Sequence, residues 1–533
     1  MRRFSSVVLL SVMLLNTCPV WAEDMDDWLS YDRPATYESI VTSVSPVMRD
    51  GIALDCQMAV PAMDGHPAPG QFPGIITNVI PYTILIQTSK RVLEYWAGHG
   101  YQALTCNVRG TGKSEGFYLY NNQPEEWCDS YDLVEWLAEQ PGSNGRIGQE
   151  GTSYGGMTSY QAAIGNPPHL EAIAPQIAPR DLYLDDAYPG GVKKRPGVTD
   201  TWPLVVFMTT YGQVPANRVW DAWLDHPTHD AFWDGIAIEP KLDNVDVPVF
   251  VVSGWEDYLF TCGALRNYET LVQHGRYDTT WLLAGPWPHI NMFETDVCTL
   301  PGACVPEELR LPQGILLGWF DHWLQDRSDA PLPPSHVVTY EGPREVGDGW
   351  QMFDQWPPDD AVSVNLALRR DGSLGTEPGR AGTRSFYQHP LSGILWAINH
   401  ETFTSPPLDQ DIVLAGDIEL SLTACYTKSD ANIHAELYEL LNGQTRLIND
   451  GWLKISHRDS HVTPTPVVPG QVITSLIEIR PVHQRIPAGA QLQLKISGGG
   501  GFEMIPVKEF VRTDIVTGTG GSTLRLTVRG GYL

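Results

Sequence analysis

Arg146-Ile147-Gly148-Gln149-Glu150-Gly151-Thr152-Ser153-Tyr154-Gly155-Gly156 is the stretch whose reading decides the fold. Residues 146–150 read as a short strand, and the helix that follows the glycines carries Ala162 and Ala163. Gly-x-Ser-x-Gly between a strand and a helix is a tight elbow: side chains at the glycine positions would collide with neighbouring backbone, and the serine is held out on the turn. The helix that starts there aims free N–H groups at a developing oxyanion. Upstream, residues 37–60 read as strands around an Asp50-Gly51 turn, 74–80 as an apolar run, 92–96 as part of a helix and 102–108 as a strand. Trp127, Tyr131, Val134 and Ala138 share one helical face, and Gly142 marks the stop. This alternation predicts a mostly parallel sheet covered by helices.

Downstream the rhythm breaks over 176–245, where Trp202, Trp220, Trp223 and Trp233 lie among prolines and predict a helical insertion. Strands resume at 247–253 and 281–285, and a helix over 314–325 closes this half. Beyond the Pro331-Leu332-Pro333-Pro334 linker, short alternating strands such as 418–423, 434–440, 472–479, 491–496 and 524–528 predict an all-β sandwich over 335–533. The expected layout is therefore a leader over 1–22, an α/β catalytic unit over 23–330 with its insertion, and the sandwich.

A length of 533 residues fits two or three domains, and 42% hydrophobic against 18% charged residues excludes a wholly disordered or coiled-coil chain. A net charge of -28 argues against nucleic acid and anionic membranes as partners. Arg2 and Arg3, the apolar run 7–15 and Val20-Trp21-Ala22 read as a cleaved secretory signal. A lipoprotein anchor at Cys18 is the rival, weakened by Thr17 before it; no later apolar run is long enough to span a bilayer, so an exported, soluble protein without a membrane anchor is expected. Of the seven remaining cysteines, Cys298 and Cys304 flank a short Pro-Gly loop and are the expected disulfide, with the others read as small buried residues. CxxC spacing is absent, which argues against zinc, and no cofactor or metal is expected.

A serine hydroxyl needs a histidine base oriented by a carboxylate, in the chain order Ser, Asp, His for a sheet of this kind. The strand 247–253 leads into Gly254-Trp255-Glu256-Asp257, and 281–285 into Pro286-Trp287-Pro288-His289. Asp257 is the candidate carboxylate, with Glu256 its direct competitor. His289 is the candidate base, with a loop histidine stacked on Trp287 as the bland alternative. His226 and His229 fall in the insertion and read as surface residues.

Asn107-Val108-Arg109-Gly110-Thr111-Gly112-Lys113-Ser114-Glu115-Gly116 resembles the D-x-R-G-x-G-x-S-E-G stretch of the cocaine esterase and X-Pro dipeptidyl-peptidase superfamily. Glu135-Trp136-Leu137-Ala138, Asn144-Gly145-Arg146-Ile147-Gly148, the elbow, Gly254-Trp255-Glu256-Asp257, Gly285-Pro286-Trp287-Pro288-His289 and Trp319-Phe320-Asp321-His322-Trp323-Leu324 follow in the same order. The likeness is strong over 40–325 and diffuse beyond. It implies an α/β-hydrolase domain with a helical cap and a C-terminal jelly roll, and Ser153, Asp257 and His289 as the triad. It also implies Tyr82 as an oxyanion donor through its hydroxyl and Tyr154 through its backbone N–H; a core aromatic at a strand end is the plain reading of Tyr82.

Two departures matter. Asn107 stands where the family has Asp, which puts an ion pair to Arg109 in doubt. Relatives that act on α-amino-acid esters have carboxylates after the triad Asp, where this chain has Leu259 and Phe260; Asp185 and Asp186 resemble another piece of that cluster but read as a surface pair on the cap. Gly112-Lys113-Ser114 mimics a phosphate loop, yet its required first glycine falls at Asn107. The expected function is hydrolysis of a carboxylic ester or amide, in a small molecule or a peptide, through an acyl-enzyme. A Xaa-Pro dipeptidyl-peptidase or acylase with the same triad and a non-catalytic binding protein are the alternatives. The sequence leaves the oligomeric state open.

Overall fold

The computed structural model describes residues 20–120, 123–196, 202–289, 292–293, 309–342, 347–389, 399–499 and 504–531. Its first sheet contains β1 (Glu38–Val44), β2 (Cys56–Met63), β3 (Phe72–Ile80), β4 (Gln102–Asn107) and β5 (Ser143–Thr152), which ends at the elbow. It continues through β6 (Leu170–Gln176), β7 (Val249–Gly254), β8 (Thr280–Gly285), β9 (Val337–Glu341) and β10 (Gly349–Phe353). The spatial order is β1-β2-β4-β3-β5-β6-β7-β8-β9-β10. β1, β2 and β4 pair antiparallel. Every neighbouring pair from β4 to β9 is parallel, and β10 turns back antiparallel. Parallel strands need crossover connections, which is why the sheet must be covered by helices. β4, β7 and β8 are buried along their whole length.

Two glycines show how the helices pack. A methyl group on Gly74 would lie 2.5 Å from Ile147 Cδ1 and 2.8 Å from Leu137 of helix Pro124–Ala138. One on Gly148 would lie 2.6 Å from the Phe320 ring of helix Gly314–Gln325. Ile147 and Gly148 are successive strand residues and face opposite ways, so these two helices cover opposite faces of the sheet.

Between β6 and β7 the chain leaves the sheet and forms helices Trp202–Thr209, Ala216–Asp225 and Ala231–Ile236. Trp223 and Trp233 are fully buried with ring centroids 6.0 Å apart, so they are core of the insertion. The C-terminal part is all-β. One seven-stranded sheet is built on Ile412–Tyr426, and a four-stranded sheet on Asn432–Leu441. Ile418, Leu420 and Leu422 of the first share one core with Ile433, Ala435 and Leu437 of the second, each from alternate positions along its strand.

Three expectations are corrected. β9 and β10 follow the proline linker yet extend the first sheet, because β9 pairs parallel with β8; the all-β part therefore starts after residue 353, not at 335. On helix Pro124–Ala138 the buried residues are Glu126, Asp129, Ser130, Leu133, Val134 and Leu137, whereas Trp127, Tyr131 and Ala138 lie at the margin. Burying polar residues there is possible because each finds a partner: Tyr154 for Glu126, Arg109 for Asp129 and Gln161 for Ser130. Cys56 and Cys106, read as small buried residues, form a disulfide between directly paired positions of β2 and β4. Cys298 and Cys304 lie outside the described residues. Among those residues no helix is long and apolar enough to cross a membrane.

Candidate active site

β3, β5, β7 and β8 run in the same direction, so Tyr82, Ser153, Asp257 and His289, each just past the end of its strand, come to one edge of the sheet. Open α/β sheets place their sites at this edge. Ser153 has φ 60° and ψ -110°, a backbone state that side chains rarely tolerate. It is held by its own N–H, which donates to the Gln176 carbonyl at 2.9 Å. The Thr152 hydroxyl donates to Gln176 Oε1 at 2.6 Å, and the Gln176 amide donates in turn to the buried Glu150 at 2.9 Å. A side chain at Gly151 would meet the Gly155 backbone at 2.8 Å, and one at Gly155 would meet Asn78 Oδ1 at 2.4 Å. That Asn78 oxygen accepts the Thr152 N–H at 3.2 Å, so the elbow is packed against the end of β3 with no room to spare.

Ser153 Oγ lies 2.9 Å from His289 Nε2, and His289 Nδ1 lies 3.1 Å from Asp257 Oδ1. With Nδ1–H directed at the carboxylate, Nε2 is the acceptor for the serine hydroxyl. Asp257 is 1% exposed and accepts the backbone N–H groups of Leu259 at 2.9 Å and Phe260 at 3.1 Å. Its competitor Glu256 is exposed, whereas Asp257 is the carboxylate beside His289. The edge of the Phe260 ring packs on the His289 imidazole with centroids 5.1 Å apart. Trp287 is not stacked on His289; it is buried, with its indole N–H donating to the Leu309 carbonyl at 2.7 Å. The loops after β7 and β8 are bound together, since Trp255 N–H donates to the Gly285 carbonyl at 2.8 Å and Glu256 N–H to the Trp287 carbonyl at 3.2 Å.

Tyr82 is half-buried, with its ring 5.7 Å from Trp202 and 6.4 Å from Tyr154. Burial, helped by Tyr118 and Asp186, lifts its phenol well above the ordinary value of 10, so it stays protonated and can donate. Trp202 stacks on Tyr154 at 5.7 Å, which takes it out of the insertion core and places it beside the elbow. The Tyr154 hydroxyl donates to Glu126 Oε2 at 2.5 Å. Burial raises the Glu126 carboxyl well above 4.5. Neither Glu126 nor the Trp202 stack was visible as site structure in the sequence.

The insertion also differs from expectation. Asp185 and Asp186 are buried, not surface residues. Asp185 pairs with Arg180 at 3.2 Å and Asp186 with Lys194 at 2.9 Å through Oδ1, while the buried Oδ2 of Asp186 has no hydrogen-bond partner among the described residues. His229 is half-buried against Asp181 at 2.5 Å, and His226, more exposed, pairs with Asp230 at 2.7 Å. Arg109 keeps its ion pairs although Asn107 is no partner: Asp129 holds it at 2.5 Å and Asp50 at 3.0 Å. Asn107 instead donates to Asp55 at 3.0 Å.

The chain matches the family described as X-Pro dipeptidyl-peptidase (S15 family) over residues 50–215 and 208–291. Over 333–519 it matches the X-Pro dipeptidyl-peptidase C-terminal non-catalytic domain. It is similar to the cocaine esterase of Rhodococcus sp. (strain MB1 Bresler), 23% identical, with 91% of this chain and 94% of that protein covered. Among solved structures it resembles an alpha-amino acid ester hydrolase (TM-score 0.77, 19% identity, 93% of this chain and 98% of the other). It also resembles a CocE/NonD family hydrolase from Staphylococcus aureus (TM-score 0.75, 20% identity, 92% and 94%). Matched families and relatives set the class of protein as a serine hydrolase. More particularly, the chain belongs to the cocaine esterase and X-Pro dipeptidyl-peptidase superfamily.

Proposed function

We propose that Ser153, His289 and Asp257 are a catalytic triad that hydrolyses an ester or amide with an uncharged acyl group. The observation that carries this reading is the aligned pair of contacts, 2.9 Å from Oγ to Nε2 and 3.1 Å from Nδ1 to the carboxylate. His289 removes the hydroxyl proton as Oγ attacks the carbonyl carbon. The carbonyl oxygen becomes an oxyanion, which the Tyr82 hydroxyl and the Tyr154 N–H stabilise by donation. Collapse breaks the bond to the leaving group, which takes the proton from His289. Water, deprotonated by the same imidazole, then releases the acid and restores Ser153. In this reading the first sheet is an α/β-hydrolase domain, the insertion its cap, and the two C-terminal sheets a jelly roll. Export through the leader at 1–22 accords with the Cys56–Cys106 disulfide, which an oxidising compartment favours.

Capture of a substrate ammonium is disfavoured by Leu259 and Phe260, which stand where amino-acid ester hydrolysing relatives have carboxylates. Turnover of aryl esters, acyl amides and Xaa-Pro anilides tests the assignment. Aryl esters are expected to be hydrolysed fastest, with Ser153→Ala at background. Faster turnover of the anilides would make the protein a dipeptidyl-peptidase, and turnover that survives the alanine would remove the triad.

A further inference from the structure

A cavity of about 490 Å³ lies between the insertion and the C-terminal sheets, within the usual size of small-molecule sites, roughly 300–1,000 Å³. Lys193, Lys428, Lys454 and Lys508 line it. The chain has only nine lysines and a net charge of -28, so four lysines around one hollow are a sharp local reversal of sign. Two carboxylates share the lining: Asp430, 3.5 Å from Lys454, and Glu509, 3.4 Å from Lys428. Asp430 is also committed to the Ser456 N–H at 2.9 Å and hydroxyl at 3.0 Å, which makes it part of the frame. Lys193 is buried, its ammonium 4.9 Å from the Tyr188 ring centroid and 5.3 Å from that of Trp223. Apart from Ser429 and Asn432, the remaining walls are mostly apolar and include Val192, Leu224, Val507 and Val511.

The seam is tied in place. Ile505 N–H donates to the Lys193 carbonyl at 2.9 Å, and the Asn432 amide donates to the Ile505 carbonyl at 3.1 Å. We propose that this cavity binds a small organic carboxylate, its head among the lysines and its apolar body along Val192, Leu224 and Val507. An acidic surface repels anions, whereas a concave basic lining concentrates them. Lysines present point charges instead of the planar fork of arginine, which suits a head held by charge, and the apolar walls favour a ligand larger than an inorganic ion. None of these residues belongs to the proposed triad or oxyanion donors, and the inference does not depend on catalysis at Ser153.

Calorimetric titration of the full chain with sodium decanoate tests it. One saturable site per chain is expected. The Lys428→Ala/Lys508→Ala double variant should bind at least about tenfold more weakly, a loss of roughly 1.4 kcal/mol. Lys113→Ala, the same change at an exposed lysine elsewhere, should bind as the wild type does. Lys508→Ala alone, at an exposed position, gives the same direction of change without touching the Glu509 pair. Inorganic phosphate should bind more weakly than decanoate. Absence of saturable decanoate binding, equal binding by wild type and both lysine variants, or phosphate binding as tightly as decanoate would each overturn the proposal.

Discussion

Ser153 sits at φ 60°, and holding a non-glycine residue in such a state costs on the order of 1–3 kcal/mol, which the hydrogen bonds to Gln176 and the packing of Asn78 must offset. Tyr82→Phe removes a single donor while keeping the ring against Trp202 and Tyr154. It is expected to lower kcat by about 10²–10³ with little change in KM, because the bond is made to the oxyanion and not to the bound ester. A loss shared equally by KM would assign Tyr82 to binding. Asn107 offers a second test. Restoring the aspartate of the family motif places a carboxylate against Asp55, which now accepts from the Asn107 amide at 3.0 Å. Asn107→Asp is therefore expected to destabilise the fold by about 1–3 kcal/mol in urea denaturation, although it matches the motif better. Asp257, His289 and the elbow were readable because their positions follow from where strands end. The partners of Arg109 were not, since Asp50 and Asp129 come from distant segments.

At the scale of elements, period and punctuation identified the strands that flank the elbow, but three features escaped them. The stripe Glu126, Asp129, Ser130 on helix Pro124–Ala138 is buried through partners on other elements, and no hydrophobic pattern records it. β9 follows a proline linker that looks like a boundary, and only its pairing with β8 assigns it to the first sheet. Cys56 and Cys106 are 50 residues apart, and nothing local marks the register that sets them opposite each other. Closing that loop predicts a stabilisation of about 2–4 kcal/mol. The Cys56→Ala/Cys106→Ala chain should show a lower urea midpoint and an unfolding free energy lower by that amount, and the wild type should shift likewise under reductant. An unchanged midpoint in both would mean that β2 and β4 are held by the sheet alone.

For the whole molecule, the seam between insertion and C-terminal sheets contains a pH-sensitive group. His457 is buried, with Nδ1 3.4 Å from the Tyr183 hydroxyl and 3.3 Å from His461 Nδ1. Burial, then the His461 and Lys454 charges, lowers its pKa from 6.5 to about 4. Between those values the unfolded chain holds a proton at this site that the folded chain does not, so this group makes stability fall as pH drops from 6.5 towards 4. His457→Asn should flatten that part of the denaturation profile relative to wild type; parallel profiles would show that the group does not titrate as described. The central claim is that one serine, activated by one histidine, does the chemistry. Reaction with a fluorophosphonate followed by peptide mapping tests it most directly. A single adduct on Ser153, lost in His289→Ala, is the expected result, and an unlabelled Ser153 or an adduct elsewhere would contradict it.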